Sequence, residues 1–177
     1  LAHRPGETYW DWAELGGREP DAYHLKGWHP TSVLGTVGAA AAVASLHRLS
    51  PASCGHALAL AASMASGLVA NFGTMAKPYH AGRAAHSGIM SARLASAGFT
   101  ASPDALEHPL GFLAAVSPKG DVNRERPAKA GRDWQILKQG LSVKKYPLCY
   151  CTHRAIDGML DLLAAQPVKP ENVDAIK

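Results

Sequence analysis

Three consecutive stretches, residues 31–49 (TSVLGTVGAAAAVASLHRL), 51–70 and 80–97, consist largely of alanine, glycine, serine and small aliphatic residues. Alanine is the best helix former, and small side chains let helix axes approach closely, so these stretches predict packed helices rather than a sheet sandwich. Thr31 or Ser32 is placed to cap the first helix through its hydroxyl. Gly35 and Gly38 would each cost about 1 kcal/mol relative to alanine in an exposed helix, so their presence predicts a second backbone close by. In the second stretch Ser50 is the expected cap, and Pro51 takes the first helical position, where a missing N–H loses nothing. The third helix is expected over 80–97, entered from a glycine-containing turn and closed by Gly98.

The rest of the chain is less regular. Residues 1–26 mix Trp, Gly, Pro and charge, with one short helix expected at residues 10–15. SPDALEHPLGFLAAVS predicts a short helix capped by Ser102 and then a second brief one, and residues 117–133 form a polar, turn-rich excursion. WQILKQGLSVKKYP alternates as an extended segment does. CTHRAIDGMLDLLAAQ is amphipathic, with Ala155, Ile156, Met159, Leu160, Leu162 and Leu163 on one side. A strand is expected to begin near Val173, and a strand needs partners that the preceding chain does not supply, so the chain reads as part of something longer.

With 47% hydrophobic and 18% charged residues, the chain has enough apolar material for a core and is not a disordered segment. Its net charge of +4 is not gathered into the run or stripe of a nucleic-acid binder; the pair Lys144-Lys145 comes nearest. The cations suit an anionic small molecule better. Three cysteines, an odd number, argue against a secreted disulfide scaffold, and no signal-like or membrane-spanning run is visible, which places the expected protein in the cytoplasm.

GTMAKPYHAGRAAHSG, residues 73–88, gathers Lys77, His80, Arg83 and His86 among small residues with no acidic neighbour. Because Lys77 precedes Pro78, extended geometry is expected for it, on the connection into the third helix. It is then either a clamp or proton donor for a carboxylate, or a solvated loop lysine. The spacing of His80, Arg83 and His86 puts them on one helical face, either extending a carboxylate site or serving an interface. His29, just before the first helix, either meets an anion at the helix N-terminus or bonds a nearby carbonyl, with Trp28 as a packing anchor. Cys149, Cys151 and His153 are possible metal ligands, but C-x-C-x-H is not a zinc spacing and no second pair completes a tetrahedral set; no metal is expected. Nothing activates a cysteine nucleophile, and phosphate-binding glycine motifs are absent.

Read in order, GWHPTSVLGTVGAAAAVASL, GTMAKPYHAGRAAHSGIMSARLASAGFTASPDALE, GFL and KKYPLCYCTHRAID resemble the MmgE/PrpD family over residues 27–177. The resemblance implies a mainly all-α fold, with residues 27–143 belonging to the helical domain and 144–177 beginning an α+β lid. Residues 1–26 are unmatched, and a family chain is more than twice as long. It implies a cofactor-independent dehydratase of a di- or tricarboxylate such as 2-methylcitrate, with decarboxylation or epimerisation as alternatives. A non-catalytic helical dimerisation module is the alternative from another class. His29, Lys77 and Lys144 are implied as catalytic residues, with Lys145 in place of Lys144 if the register shifts by one. His80, Arg83 and Lys145 are expected to bind substrate. The implied partners are a small polycarboxylate and a second copy of the chain, with no cofactor, nucleic acid or membrane.

Overall fold

The computed structural model of the chain describes residues 27–117 and 143–175, and these fall into two units that divide between Gln139 and Gly140. In the first unit, helix α1 spans Pro30–Leu46, α2 Pro51–Met64, α3 Ala76–Ser96 and the short α4 Phe112–Val116. Among the described residues no β-strand occurs, so the fold is all-α, as the small-residue runs imply.

Helices α1, α2 and α3 pack against one another through small side chains. One cluster joins Ala44 of α1, Ala57 of α2, and Ala92 and Ala95 of α3, flanked by Val43, Leu49, Cys54 and Leu60. Gly88 marks the closest approach of α1 and α3: a methyl group there would lie 2.4 Å from the Ala39 Cβ and 2.7 Å from both the Ala40 nitrogen and the Thr36 carbonyl oxygen. Of the two glycines expected to admit a neighbour, a Cβ on Gly35 would lie in ordinary contact with the Ala84 Cβ of α3 (3.5 Å) and one on Gly38 would meet nothing within 4 Å, so the tight approach falls at Gly88 instead. Two buried hydroxyls are satisfied within their own helices, Thr36 Oγ1 donating to the Ser32 carbonyl (2.7 Å) and Ser91 Oγ to the Ser87 carbonyl (2.8 Å), whereas the buried Ser87 Oγ has no hydrogen-bond partner among the described residues. A second cluster gathers Val33, Phe112 and Val116, with Trp28, Leu106 and Leu113 packed against it. Trp28 is therefore the expected anchor.

The helix ends differ from expectation where the chain makes non-local bonds. His29, not Thr31 or Ser32, is the N-cap of α1, with Pro30 next, and no side chain caps that end. Helix α1 stops at Leu46 because Arg48 turns into the left-handed region (φ 52°) and the Leu49 amide returns to the Ala44 carbonyl (3.0 Å). Ser50 does cap α2. That helix ends at Met64, short of residue 70, because Ala65 is extended and Leu68 pairs with Trp28 in an antiparallel bridge. The bridge consists of His29 N–H donating to Gly67 O (2.9 Å) and Val69 N–H donating to Gly27 O (2.8 Å). Helix α3 begins at Ala76, so Lys77 is helical rather than extended. Pro78 falls within the first turn, where helix N–H groups have no intrahelical partner and the proline forfeits no bond. Gly98 (φ 88°) closes α3, with the Phe99 amide bonding the Leu94 carbonyl at 2.9 Å. The segment after Ser102 forms hydrogen-bonded turns instead of a capped helix, because the Ser102 hydroxyl donates to the Asp104 carboxylate (2.6 Å). That bond also holds the Asp104 pKa below its ordinary value.

In the second unit, a 3₁₀ turn at Tyr150–Thr152 leads into α5, His153–Ala165, the expected amphipathic helix. Met159, Leu160, Leu162 and Leu163 are solvent-exposed. Val173 has extended dihedrals but starts no strand among the described residues. The expected helix at 10–15, the excursion at 117–133 beyond Ser117, and most of the extended segment at 134–147 lie outside the described residues.

Candidate functional site

Backbone pairing between Trp28 and Leu68 fixes the segment entering α1 against the segment leaving α2. This brings His29 beside Phe72 and His80, residues from a distant part of the sequence. His29 sits at the start of α1, only 6% exposed, and His80 sits in the second turn of α3, 8% exposed. Their Nδ1 atoms are 2.9 Å apart, a hydrogen bond in which one ring donates and the other accepts. Phe72, in the loop between α2 and α3, meets the His29 ring in a T-shaped contact, with centroids 4.7 Å apart and planes at 81°. Lys77 places Nζ 4.1 Å from the centroid of the same Phe72 ring, a cation–π contact. His29 and Lys77 thus share Phe72 as a neighbour. The sequence stretch 27–103 contains no Asp or Glu, so α1, α2 and α3 supply no carboxylate to neutralise these groups.

The expectation that His80, Arg83 and His86 share a face is not met. His80 belongs to the buried stripe with Ala84, Ser87, Gly88, Ser91 and Ala95, while Arg83 and His86 are exposed and bonded to each other, Nη1 to Nδ1, at 3.0 Å. Three residues is slightly less than one helical turn, so two such steps carry His86 well off the His80 stripe. Phe72 was not among the sequence candidates; the visible signal was a rare aromatic residue flanked by Gly67 and Gly73. Two open cavities of the first unit are lined elsewhere. One, of about 340 Å³, lies between Val43, His47 and Arg93; the other, of about 420 Å³, lies between Trp28, Ala62 and Phe112.

In the second unit the two candidate lysines differ. Lys145 Nζ contacts Asp157 Oδ1 at 2.6 Å, and the Tyr146 hydroxyl donates to the same oxygen at 2.6 Å. The Asp157 carboxylate raises the pKa of both Lys145 and Tyr146, and hydrogen bonds from Lys145 and then Tyr146 lower its own. Lys144 is exposed and makes no hydrogen bond or ion pair among the described residues. Asp157 was not a sequence candidate, since an acidic residue on an amphipathic helix carries no distinguishing pattern. His153 packs its ring against Tyr146 and Tyr150 at 5.2 and 5.3 Å, and its buried Nε2 has no partner among the described residues. Among those residues no group of three or more His, Cys, Asp or Glu side chains is arranged to hold a metal ion, and no helix is long and apolar enough to cross a membrane.

Comparison with known proteins gives a consistent set. The family model of the MmgE/PrpD N-terminal domain matches residues 16–125. Human cis-aconitate decarboxylase is 38% identical over 135 residues, 75% of this chain and 27% of that protein. The mouse cis-aconitate decarboxylase is 35% identical over the same shares. The Aspergillus terreus cis-aconitate decarboxylase is 31% identical over 149 residues, 80% of this chain and 30% of that protein. The chain therefore spans less than a third of the length of these relatives.

Proposed function

The chain belongs to the MmgE/PrpD family, and from that membership and the paired histidines we propose that it is part of a lyase that decarboxylates a cis-aconitate-like tricarboxylate. The observation that carries the reading is the buried His29–His80 pair, linked through Phe72 to a lysine in a stretch without carboxylates. The names of the relatives favour carboxyl loss over the elimination of water from a 2-methylcitrate-like acid, which stands as the second outcome of the test.

The chemistry follows from the side chains. Loss of CO2 breaks a carbon–carbon bond and leaves its electron pair on the substrate, where a proton must quench it. His29 is the proposed donor. The remaining carboxylates need fixed positive charge, and Lys77 is the proposed clamp. Arg83, exposed on α3, is a further proposed carboxylate contact. A homodimer is part of the same reading, and light scattering on the full-length protein tests it.

The test is turnover by the full-length protein, offered cis-aconitate and 2-methylcitrate separately, with CO2 release and water elimination followed by product analysis. CO2 release from cis-aconitate is expected, and His29→Ala should reduce it about 10²–10⁴-fold, the usual contribution of general acid–base catalysis. Turnover of neither acid would refute the lyase reading.

A further inference from the structure

We propose that Phe72 is a positioning residue: its aromatic face holds the Lys77 ammonium, and its packing on the His29 ring sets that charge beside the histidine before a carboxylate arrives. The inference rests on the reading of Lys77 as a carboxylate clamp and deepens it by naming what aims the lysine.

Local backbone fixes the ring first. The Val69 amide donates to the Gly27 carbonyl at 2.8 Å, which ties the 3₁₀ turn Val69–Asn71 to the segment that carries His29. The Phe72 amide closes that turn on the Val69 carbonyl at 2.8 Å, and Phe72 itself is extended. Gly73 then takes a φ of 84°, a left-handed conformation that glycine adopts without a steric cost. Thr74 secures the other side. Its hydroxyl donates to the Asn71 carbonyl at 2.8 Å and accepts from the Ala76 amide at 3.2 Å, where α3 begins. The Lys77 amide bonds the Thr74 carbonyl at 3.2 Å. Phe72 is therefore tied on one side to the segment of His29 and on the other to the first turn of the helix that carries Lys77.

A lysine in this place needs a guide. Lys77 is exposed, and its ammonium is a point charge on a flexible stem. In solvent that stem samples many rotamers, and a substrate would have to order it on binding. The Phe72 ring supplies a preferred place: Nζ lies 4.1 Å from its centroid, where the negative face of the π system attracts a cation. The same ring stands at 81° to the His29 ring, with centroids 4.7 Å apart, so the ammonium is placed with reference to the histidine. Phe72 is 36% exposed, so the contact is a partly solvated one, which biases the ammonium about two- to fivefold. An aromatic guide also leaves the cation's charge uncompensated. A carboxylate partner would neutralise Lys77, as Asp157 does Lys145, and residues 27–103 contain none. The charge is thus held in place and still available to a substrate carboxylate.

The decisive experiment uses the full-length protein with Phe72 replaced site-specifically by mono-, di- and trifluorinated phenylalanine, each in the Lys77 and the Lys77→Met background. Fluorine withdraws density from the ring face in steps while nearly preserving its shape, so the contact weakens without loss of packing. In wild type the ring current should move the Lys77 ε-methylene protons upfield. That shift should shrink stepwise along the fluorinated series and vanish in Phe72→Leu. With cis-aconitate as substrate, kcat/KM should fall in the same steps, the trifluorinated ring lowering it about two- to fivefold. In Lys77→Met the series should be flat, because the ring has no cation to hold. A ring that only packs would be indifferent to fluorine or would respond equally in both backgrounds, and either result overturns the inference. Unshifted Lys77 ε-methylene protons in wild type overturn it as well. If leucine prevents folding, the fluorinated series carries the same information. Should wild type turn over neither acid, the lyase reading falls, while the Lys77 shifts, which need no substrate, still decide whether Phe72 holds the ammonium.

Discussion

Replacing Gly88 with alanine adds one methyl group at the narrowest point between α1 and α3. That Cβ would sit 2.4 Å from the Ala39 Cβ and 2.7 Å from two backbone atoms of α1, where carbon–carbon contacts normally settle at about 3.5–4.0 Å. Backbone cannot rotate out of the way as a long side chain can, so the helices must separate by about 1 Å. A gap of that size forfeits about a quarter to a half of the dispersion energy of the contacts along the interface. Overpacking of this kind costs about 1–3 kcal/mol, and rigid backbone neighbours place Gly88→Ala near the top of that range. The gain in helix propensity offsets about 1 kcal/mol. The net destabilisation is about 2 kcal/mol, equivalent to about 30-fold faster native-state hydrogen exchange at the core amides of α1 and α3. Gly82, on the same helix, is the control: a Cβ there meets nothing within 4 Å. Gly82→Ala should stabilise by about 0.4–1 kcal/mol and slow exchange. If the two substitutions shift exchange in the same direction, the close-approach argument is wrong.

Lys77→Ala in the full-length protein removes a charge-assisted contact of about 1.5–3 kcal/mol, so kcat/KM on a tricarboxylate should fall about 10- to 150-fold; an unchanged value would remove Lys77 from the site. Ser50→Ala deletes the side-chain cap on the Ser53 amide and should destabilise α2 by about 1 kcal/mol, read as faster exchange in its first turn. The Asp157 carboxylate should titrate below its ordinary 3.8, because the charged form accepts bonds from Lys145 and Tyr146. Its contribution to stability is therefore present above pH 3.8 and lost as pH falls through the lowered value. Carboxyl ¹³C NMR checks this, and Lys145→Met should return the titration toward normal; no change would mean the ion pair does not persist in solution.

The sequence by itself determined what depends on neighbours along the chain. Alanine-rich composition specified helices α1, α2 and α3, the pair Ser50-Pro51 opened α2, Gly98 closed α3, and apolar spacing marked α5. The chemical kinds at the candidate site, a histidine before α1 and a lysine before Pro78, were also legible, because motif and composition are local properties. Tertiary structure decided what depends on distant backbone. The Trp28–Leu68 bridge ended α2 at Met64 and brought Phe72 beside His29, and no periodicity in either segment encodes a bridge to the other. Pro78 argued for an extended Lys77, yet the residue is helical, since the first turn of a helix tolerates proline. His80 looked equivalent to Arg83 and His86 until packing on α1 buried it alone and set its Nδ1 against that of His29. A residue 51 positions away supplies that hydrogen bond. Helical spacing records which side of a helix a residue occupies, but only the docking of α1 on α3 decides what that side meets.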